Sequence, residues 1–181
     1  MKHLGSLIVI SLVVLAVGCA PTLKVETDFD PGANFSDYKT FNWKEVTIPG
    51  DALADNSILK NVVKSAIQEE MTKKGFRLQE GGGADLVVVF HGRRQYSAEI
   101  TNWRAYGWYN PWWGPYGGYT TVSTYREGTL VIDIVDAKKK QLVWRGLGTK
   151  SIEGYTDSEK RNRMIKNAIT KIFNKFPPKS K

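Results

Sequence analysis

The chain has 181 residues with 26 Lys and Arg against 18 Asp and Glu, a net charge of +8, two His and a single Cys. One Cys excludes an internal disulfide, and so few His and Cys exclude the usual zinc sites, which take three or four such ligands. The length suits one domain with a genuine core.

The N-terminus begins Met1-Lys2-His3, continues with an apolar run over residues 7–17 and ends in Gly18-Cys19-Ala20. A basic start, a short apolar stretch and a small-residue exit predict a secretory signal peptide over residues 1–18. The run is about half of the ~20 residues a membrane span needs. Ala16-Val17-Gly18-Cys19 resembles the bacterial lipobox, with Leu15 one place earlier than the pattern's usual third position. That resemblance implies cleavage before Cys19, acylation of Cys19 and a tether over residues 19–24. Membrane attachment would then run through the acyl chains. Ala20, where a sorting rule in enteric bacteria reads Asp as retention, implies an outer-membrane lipoprotein facing the periplasm.

Residues 22–29 and 38–43 alternate and predict strands, separated by the turn Asp30-Pro31-Gly32. Asp55-Asn56-Ser57 predicts a helix cap, and Leu59, Val62, Val63, Ala66, Ile67 and Met71 form one stripe up to Gly75. A short strand over 76–79 and a flexible connector at Gly81-Gly82-Gly83 follow. Residues 85–91 are apolar on both faces and predict an interior strand running on through Tyr96. Strands are predicted at 120–125 and 129–135, with a bulge or tight turn at Arg126-Glu127-Gly128 between them. Residues 129–135 and 141–146 predict a hairpin about Asp136. Thr156-Asp-Ser-Glu159 has the form of a capping box before a stripe of Met164, Ile165, Ala168, Ile169, Ile172 and Phe173. The order predicts an α+β fold, a mostly antiparallel sheet of about five to seven strands with two helices on one face. A single domain spans 25–178.

The unusual segment is the Gly-rich loop over residues 101–119. It holds Trp103, Tyr106, Trp108, Tyr109, Trp112, Trp113, Tyr116 and Tyr119 with one charge, Arg104. Such a run needs covering. Three covers stay open: the domain's own sheet, where each buried ring removes roughly 150–250 Å² from water; a partner protein, since Trp, Tyr and Arg dominate interfaces; or lipid headgroups and glycan.

Chemistry is sparse. His91 sits within an apolar strand, and no Ser lies in a Gly-x-Ser-x-Gly elbow. Glu99, Glu127, Asp133 and Asp136 are the carboxylates a glycan hydrolase would draw on. Arg126-Glu127 reads more simply as an ion pair or bulge, and Asp136 as a turn residue. Asp133 is placed either buried, with a raised pKa, or pointing at a helix-facing Arg or the open sheet face. The expected protein has no catalytic residue, metal or cofactor. The basic balance predicts solvated helix faces or anionic lipid, and no nucleic acid.

"VETDFDPGANFSDYKTFNW" (25–43), "GGADLVVVFH" (82–91), "TYREGTLVIDIVDAKKKQLVWRG" (124–146) and "AITKIFNKFPP" (168–178) together resemble the bacterial lipoproteins that carry the domain of unknown function 4136. The resemblance implies an envelope lipoprotein with a compact α+β domain. It implies no established activity and carries over no catalytic residue. The expected function is a lipid-anchored envelope protein with a binding or scaffolding role; a glycan or lipid binder is the alternative, and a carboxylate-dependent hydrolase a weaker one.

Overall fold

The computed structural model describes residues 22–46, 48–103, 119–154 and 156–178, with backbone alone at 97–103 and 119–124. The elements run β1 (Lys24–Phe29), a 3₁₀ turn (Phe35–Asp37), β2 (Thr40–Trp43), α1 (Ser57–Lys73), β3 (Arg77–Leu78), β4 (Leu86–Trp103), β5 (Tyr119–Asp136), β6 (Gln141–Ser151) and α2 (Ser158–Phe173). Six strands form one sheet in the order β1-β6-β5-β4-β2-β3. β1, β6, β5 and β4 pair antiparallel, whereas β2 is parallel to both β4 and β3. The predicted α+β fold with two helices is therefore present, with a parallel corner that strand patterning alone did not disclose.

That corner follows from the chain path. α1 is the crossover between β2 and β3, the connection parallel strands require. Asn56 caps α1 by accepting from the Leu59 N–H at 2.9 Å, and the chain leaves the helix at Gly75 with φ +88°, a conformation glycine adopts without strain. At the start of β2, Asp85 Oδ2 accepts from Lys39 N, Thr40 N and Thr40 Oγ1 at 2.8–2.9 Å. Those bonds, Lys39's backbone N–H foremost, hold the Asp85 carboxyl below its ordinary pKa.

α1 buries Val63, Ala66, Ile67 and Met71; α2 buries Ala168, Ile169, Ile172 and Phe173. Both stripes meet Leu86, Val88, Ile132, Ile134 and Trp144 on one face of the sheet. Trp144, Phe173 and Phe176 pack with ring centroids 5.0–5.8 Å apart. Burying a side chain of this size contributes roughly 1.5–3 kcal/mol, so this ring cluster is a major part of the core. Between the helices, Thr170 Oγ1 donates to the buried Glu70 carboxylate at 2.9 Å.

Three expectations need correction. β5 is one strand through 126–128, and its pairing with β4 is unbroken from Leu86↔Asp136 to Trp103↔Tyr119. Arg, Glu and Gly suggested a turn, but alternate positions on a strand send Arg126 and Glu127 to opposite faces. The irregularity lies instead opposite Ile134–Val135, where β6 carries one extra residue, Val143. β6 also runs on to Ser151 rather than ending at 146. Finally, the cap of α2 is Asp157, which accepts from the Lys160 N–H at 2.7 Å, one residue later than the Thr156 capping box would place it.

The unbroken β4–β5 ladder has a large consequence. β6 flanks β5 only as far as Glu127, and β2 flanks β4 only over Leu86–Val88. Past Gln95↔Glu127, eight further rungs form a two-stranded ribbon ending at Trp103↔Tyr119. At about 3.4 Å per residue, the ribbon carries the ends of the aromatic segment roughly 27 Å beyond the sheet.

Candidate functional site

Register along β4, β5 and β6 divides the helix-side face of the sheet into zones. Leu86, Val88, Ile132, Ile134 and Trp144 form the closed core. Gly92, Gly146 and Gly148 come next, where the covering layer lies directly on the backbone. A Cβ on Gly148 would stand 2.8 Å from Ile172 Cδ1, and one on Gly92 3.0 Å from Leu53 Cγ. The segment holding Leu53 is pinned to β4 at this point. Ala52 N donates to the Gly92 carbonyl at 2.8 Å, and Asp51 Oδ1 accepts from Gly92 N and Leu53 N at 2.8 and 2.9 Å.

Past the glycines the layers part. A cavity of about 500 Å³ opens between the sheet, residues 52–53, the first half of α1 and α2. Leu59, Val63, Leu130, Met164 and Ile165 give it apolar walls. Arg94, Arg126 and Lys150, each on the helix side of its strand by register, line it toward the ribbon, and Arg161 joins them from α2. The cavity therefore sits at the root of the ribbon.

The carboxylates considered for catalysis do not converge. Asp133 is held by Arg145 in a bidentate pair, Nε–Oδ1 2.6 Å and Nη2–Oδ2 2.7 Å, on the face away from the helices. Asp133 therefore points to the open sheet face, and its Arg partner lies on that face rather than facing the helices; the hydrogen bonds to Asp133 raise the Arg145 pKa. Asp136 is buried and shapes its turn, accepting from Lys138 N and Lys139 N at 2.9 and 2.8 Å. Tyr38 Oη donates to its second oxygen at 2.9 Å. The Lys139 N–H foremost, with Tyr38 and Lys138, lowers the Asp136 pKa against the opposing effect of burial. Burial, then the Asp136 bond, pushes Tyr38 up to about 12. Glu127 accepts from Gln95 Nε2 at 3.2 Å and lies on the face opposite Arg126, and the β4–β5 ladder passes both residues without the bulge expected there. The Glu99 side chain lies outside the described residues. His91 is half-buried opposite Val131, on the face away from the cavity, with its Nδ1 buried and without a hydrogen-bond partner among the described residues.

Cys19 and the signal segment 1–18 lie outside the described residues, as do Tyr106, Trp108, Tyr109, Trp112, Trp113 and Tyr116. Trp103 and Tyr119 form the last rung of the ribbon and are described as backbone only. Among the described residues no cluster of three or more His, Cys, Asp or Glu could hold a metal ion, and no helix is long and apolar enough to cross a membrane.

Sequence reasoning missed the cationic cavity, because its residues come from separate elements. A signal was present in the alternation Gly92-x-Arg94-x-Tyr96 and Arg126-x-Gly128-x-Leu130, which sets small and cationic residues on one face.

Residues 25–178 match the family described as Domain of unknown function (DUF4136). No curated protein matches the chain. Among solved structures, a PDZ domain protein from Parabacteroides distasonis is similar in fold, with a TM-score of 0.56 and 16% identity. That alignment covers 88% of this chain, which spans only 37% of the other. The PelC dodecamer from Paraburkholderia phytofirmans aligns with a TM-score of 0.45 and 13% identity over 83% of this chain and 94% of that one. A minor lipoprotein from Acinetobacter baumannii aligns at 0.38 and 11% over 77% and 92%.

Proposed function

The chain belongs to the family that carries the domain of unknown function DUF4136, and from that premise we propose that it is a lipid-anchored protein of the cell envelope that binds a partner and catalyses no reaction. The observation that carries this reading is the β4–β5 ribbon. Among the described residues, eight rungs without a third strand bring Trp103 and Tyr119 together far from the core. A two-stranded ribbon is marginal on its own in water, and its ring-rich connection is a poor solvent-facing surface. Contact with another envelope protein accounts for both. Glu127 and Asp133 share the open face but stand six residues, roughly 20 Å, apart along β5, and Asp136 lies on the other face; that spacing supports a binding role over glycan hydrolysis. The anchor is Cys19, by its lipobox-like context, and Ala20 favours the outer membrane, periplasmic side.

Photo-crosslinking from position 112 in the lipidated protein inside cells tests the binding role. A discrete protein adduct is the expected product. Adducts to lipid or glycan would favour the alternative binder. Adducts confined to the protein's own sheet would sink the docking role. Cys19→Ser tests the anchor separately: acylation and this processing should stop, and a correctly cut, membrane-held variant would refute it.

A further inference from the structure

The cavity at the root of the ribbon has no part in that reading, and its walls divide by chemistry. Toward the core the lining is apolar, with Leu53, Leu59, Val63, Leu130, Met164 and Ile165. Toward the ribbon it is cationic, with Arg94 from β4, Arg126 from β5, Lys150 from β6 and Arg161 from α2. Four elements bring positive charge to one rim, and among the described residues no Asp or Glu belongs to the lining. The ion pairs formed among the described residues do not engage Arg94, Arg126 or Arg161. Arg161 Nε is buried and has no hydrogen-bond partner among the described residues, an unfavourable state for a guanidinium donor that a ligand oxygen would relieve.

We propose that this cavity binds an anionic amphiphile, with one hydrocarbon chain among the apolar walls and a carboxylate or phosphate head against Arg94, Arg126 and Arg161. The planar guanidinium fork matches both head groups. The volume of about 500 Å³ falls within the roughly 300–1,000 Å³ typical of small-molecule pockets. A small polar anion would leave the apolar walls uncovered, and a neutral hydrocarbon would leave the guanidinium groups unpaired. The site stands on the cavity alone and requires neither an acylated Cys19 nor a partner at the ribbon tip.

Equilibrium dialysis of the purified chain against labelled dodecanoate and dodecyl phosphate, below their micelle concentrations, tests it. Saturable binding of one amphiphile per chain is expected, with dodecyl maltoside at least about tenfold weaker and inorganic phosphate unable to compete. Tighter binding of dodecyl phosphate would support the site with a phospholipid-derived ligand; tighter binding of dodecanoate would support it with a fatty acid. Arg126→Gln combined with Arg161→Gln should weaken the anionic ligands by about tenfold or more while leaving dodecyl maltoside unchanged. Met164→Trp, which fills the apolar end, should block all chains, and its melting curve checks that the domain still folds. Equal affinity for the neutral and anionic amphiphiles, or competition by phosphate alone, would overturn the proposal. So would unchanged affinity in the double Arg variant.

Discussion

Two carboxylates are buried among the described residues, and their surroundings explain why each is tolerated. Glu70 takes hydrogen bonds from Thr170 and Lys73, and Asp136 takes three, from Lys138 N, Lys139 N and Tyr38 Oη. Asp136→Asn removes the charge that these donors were arranged to meet. A loss of roughly 1–3 kcal/mol of stability at neutral pH is expected. The pH dependence has a definite sign. The folded Asp136 pKa is depressed, so its contribution is complete above the unfolded value of about 3.9 and is lost as pH falls through the folded value. Urea unfolding of both proteins at pH 7 and near pH 3 checks this; the gap between them should narrow at the acid end. Tyr38 acts with the opposite sign, since a raised phenol pKa contributes stability below pH ~10 that is lost as pH rises through about 12. The role of Asp136 was legible beforehand, because an Asp opening a run of three lysines between two strands is a turn residue by type. Its bond to Tyr38, 98 residues away, was not, since no local pattern encodes a contact at that separation.

At the scale of elements, the packing of α2 on β6 turns on small residues. A Cβ added to Gly146 would meet Ile172 Cγ2 at 2.5 Å and the Trp144 ring closer still. Trp144 is fully buried in the core and has little room to yield. Gly146→Ala should therefore cost about 1–3 kcal/mol through overpacking. Gly128→Ala meets only Ile152 Cγ2, at 2.8 Å, near the end of β6, and should cost clearly less. Denaturant midpoints of the two variants decide the ranking. The ribbon gives the contrary prediction. The core sheet ends at Gln95↔Glu127, so joining Ser97 to Tyr125 through Asn-Gly, a favoured two-residue hairpin turn, should leave the melting temperature within about 3 °C. A drop much larger than that would mean that the aromatic segment packs on the domain. Both helices were legible as apolar stripes with capping residues, and β4 as an apolar run. The fusion of 120–125 with 129–135 was hidden because Arg126, Glu127 and Gly128 have turn-like composition, and only register with β4 shows them to be ladder residues.

For the whole molecule, fold class followed from segregated strands and helices, but strand order did not. β1 leaves the N-terminus and crosses to β6 at one edge, while β2 enters parallel to β4 at the other. These choices are made by long-range burial, above all of Phe41 and of Trp144, the latter against Phe173 of α2, and nothing within a short window selects them. The cationic cavity shares this origin, assembled from β4, β5, β6 and α2. Its residues were each present as unremarkable basic positions in a chain of net charge +8.

β1 begins at Lys24, as an edge strand joined to β6 through six registered residues. With Cys19 held in a bilayer as proposed, only four residues separate the anchor from that strand. At about 3.5 Å per residue, the leash spans no more than roughly 18 Å. So short a leash confines the domain to a thin layer above the headgroups and fixes which ligands it can sample. Amphiphiles in its own leaflet are met at the effective concentration set by the leash rather than at their bulk concentration. Inserting twenty Gly-Ser residues between Cys19 and Lys24 should leave affinity for dissolved dodecyl phosphate unchanged. The same insertion should reduce lipid cross-linking from position 94 in membranes, because proximity, and not contact chemistry, is what it alters.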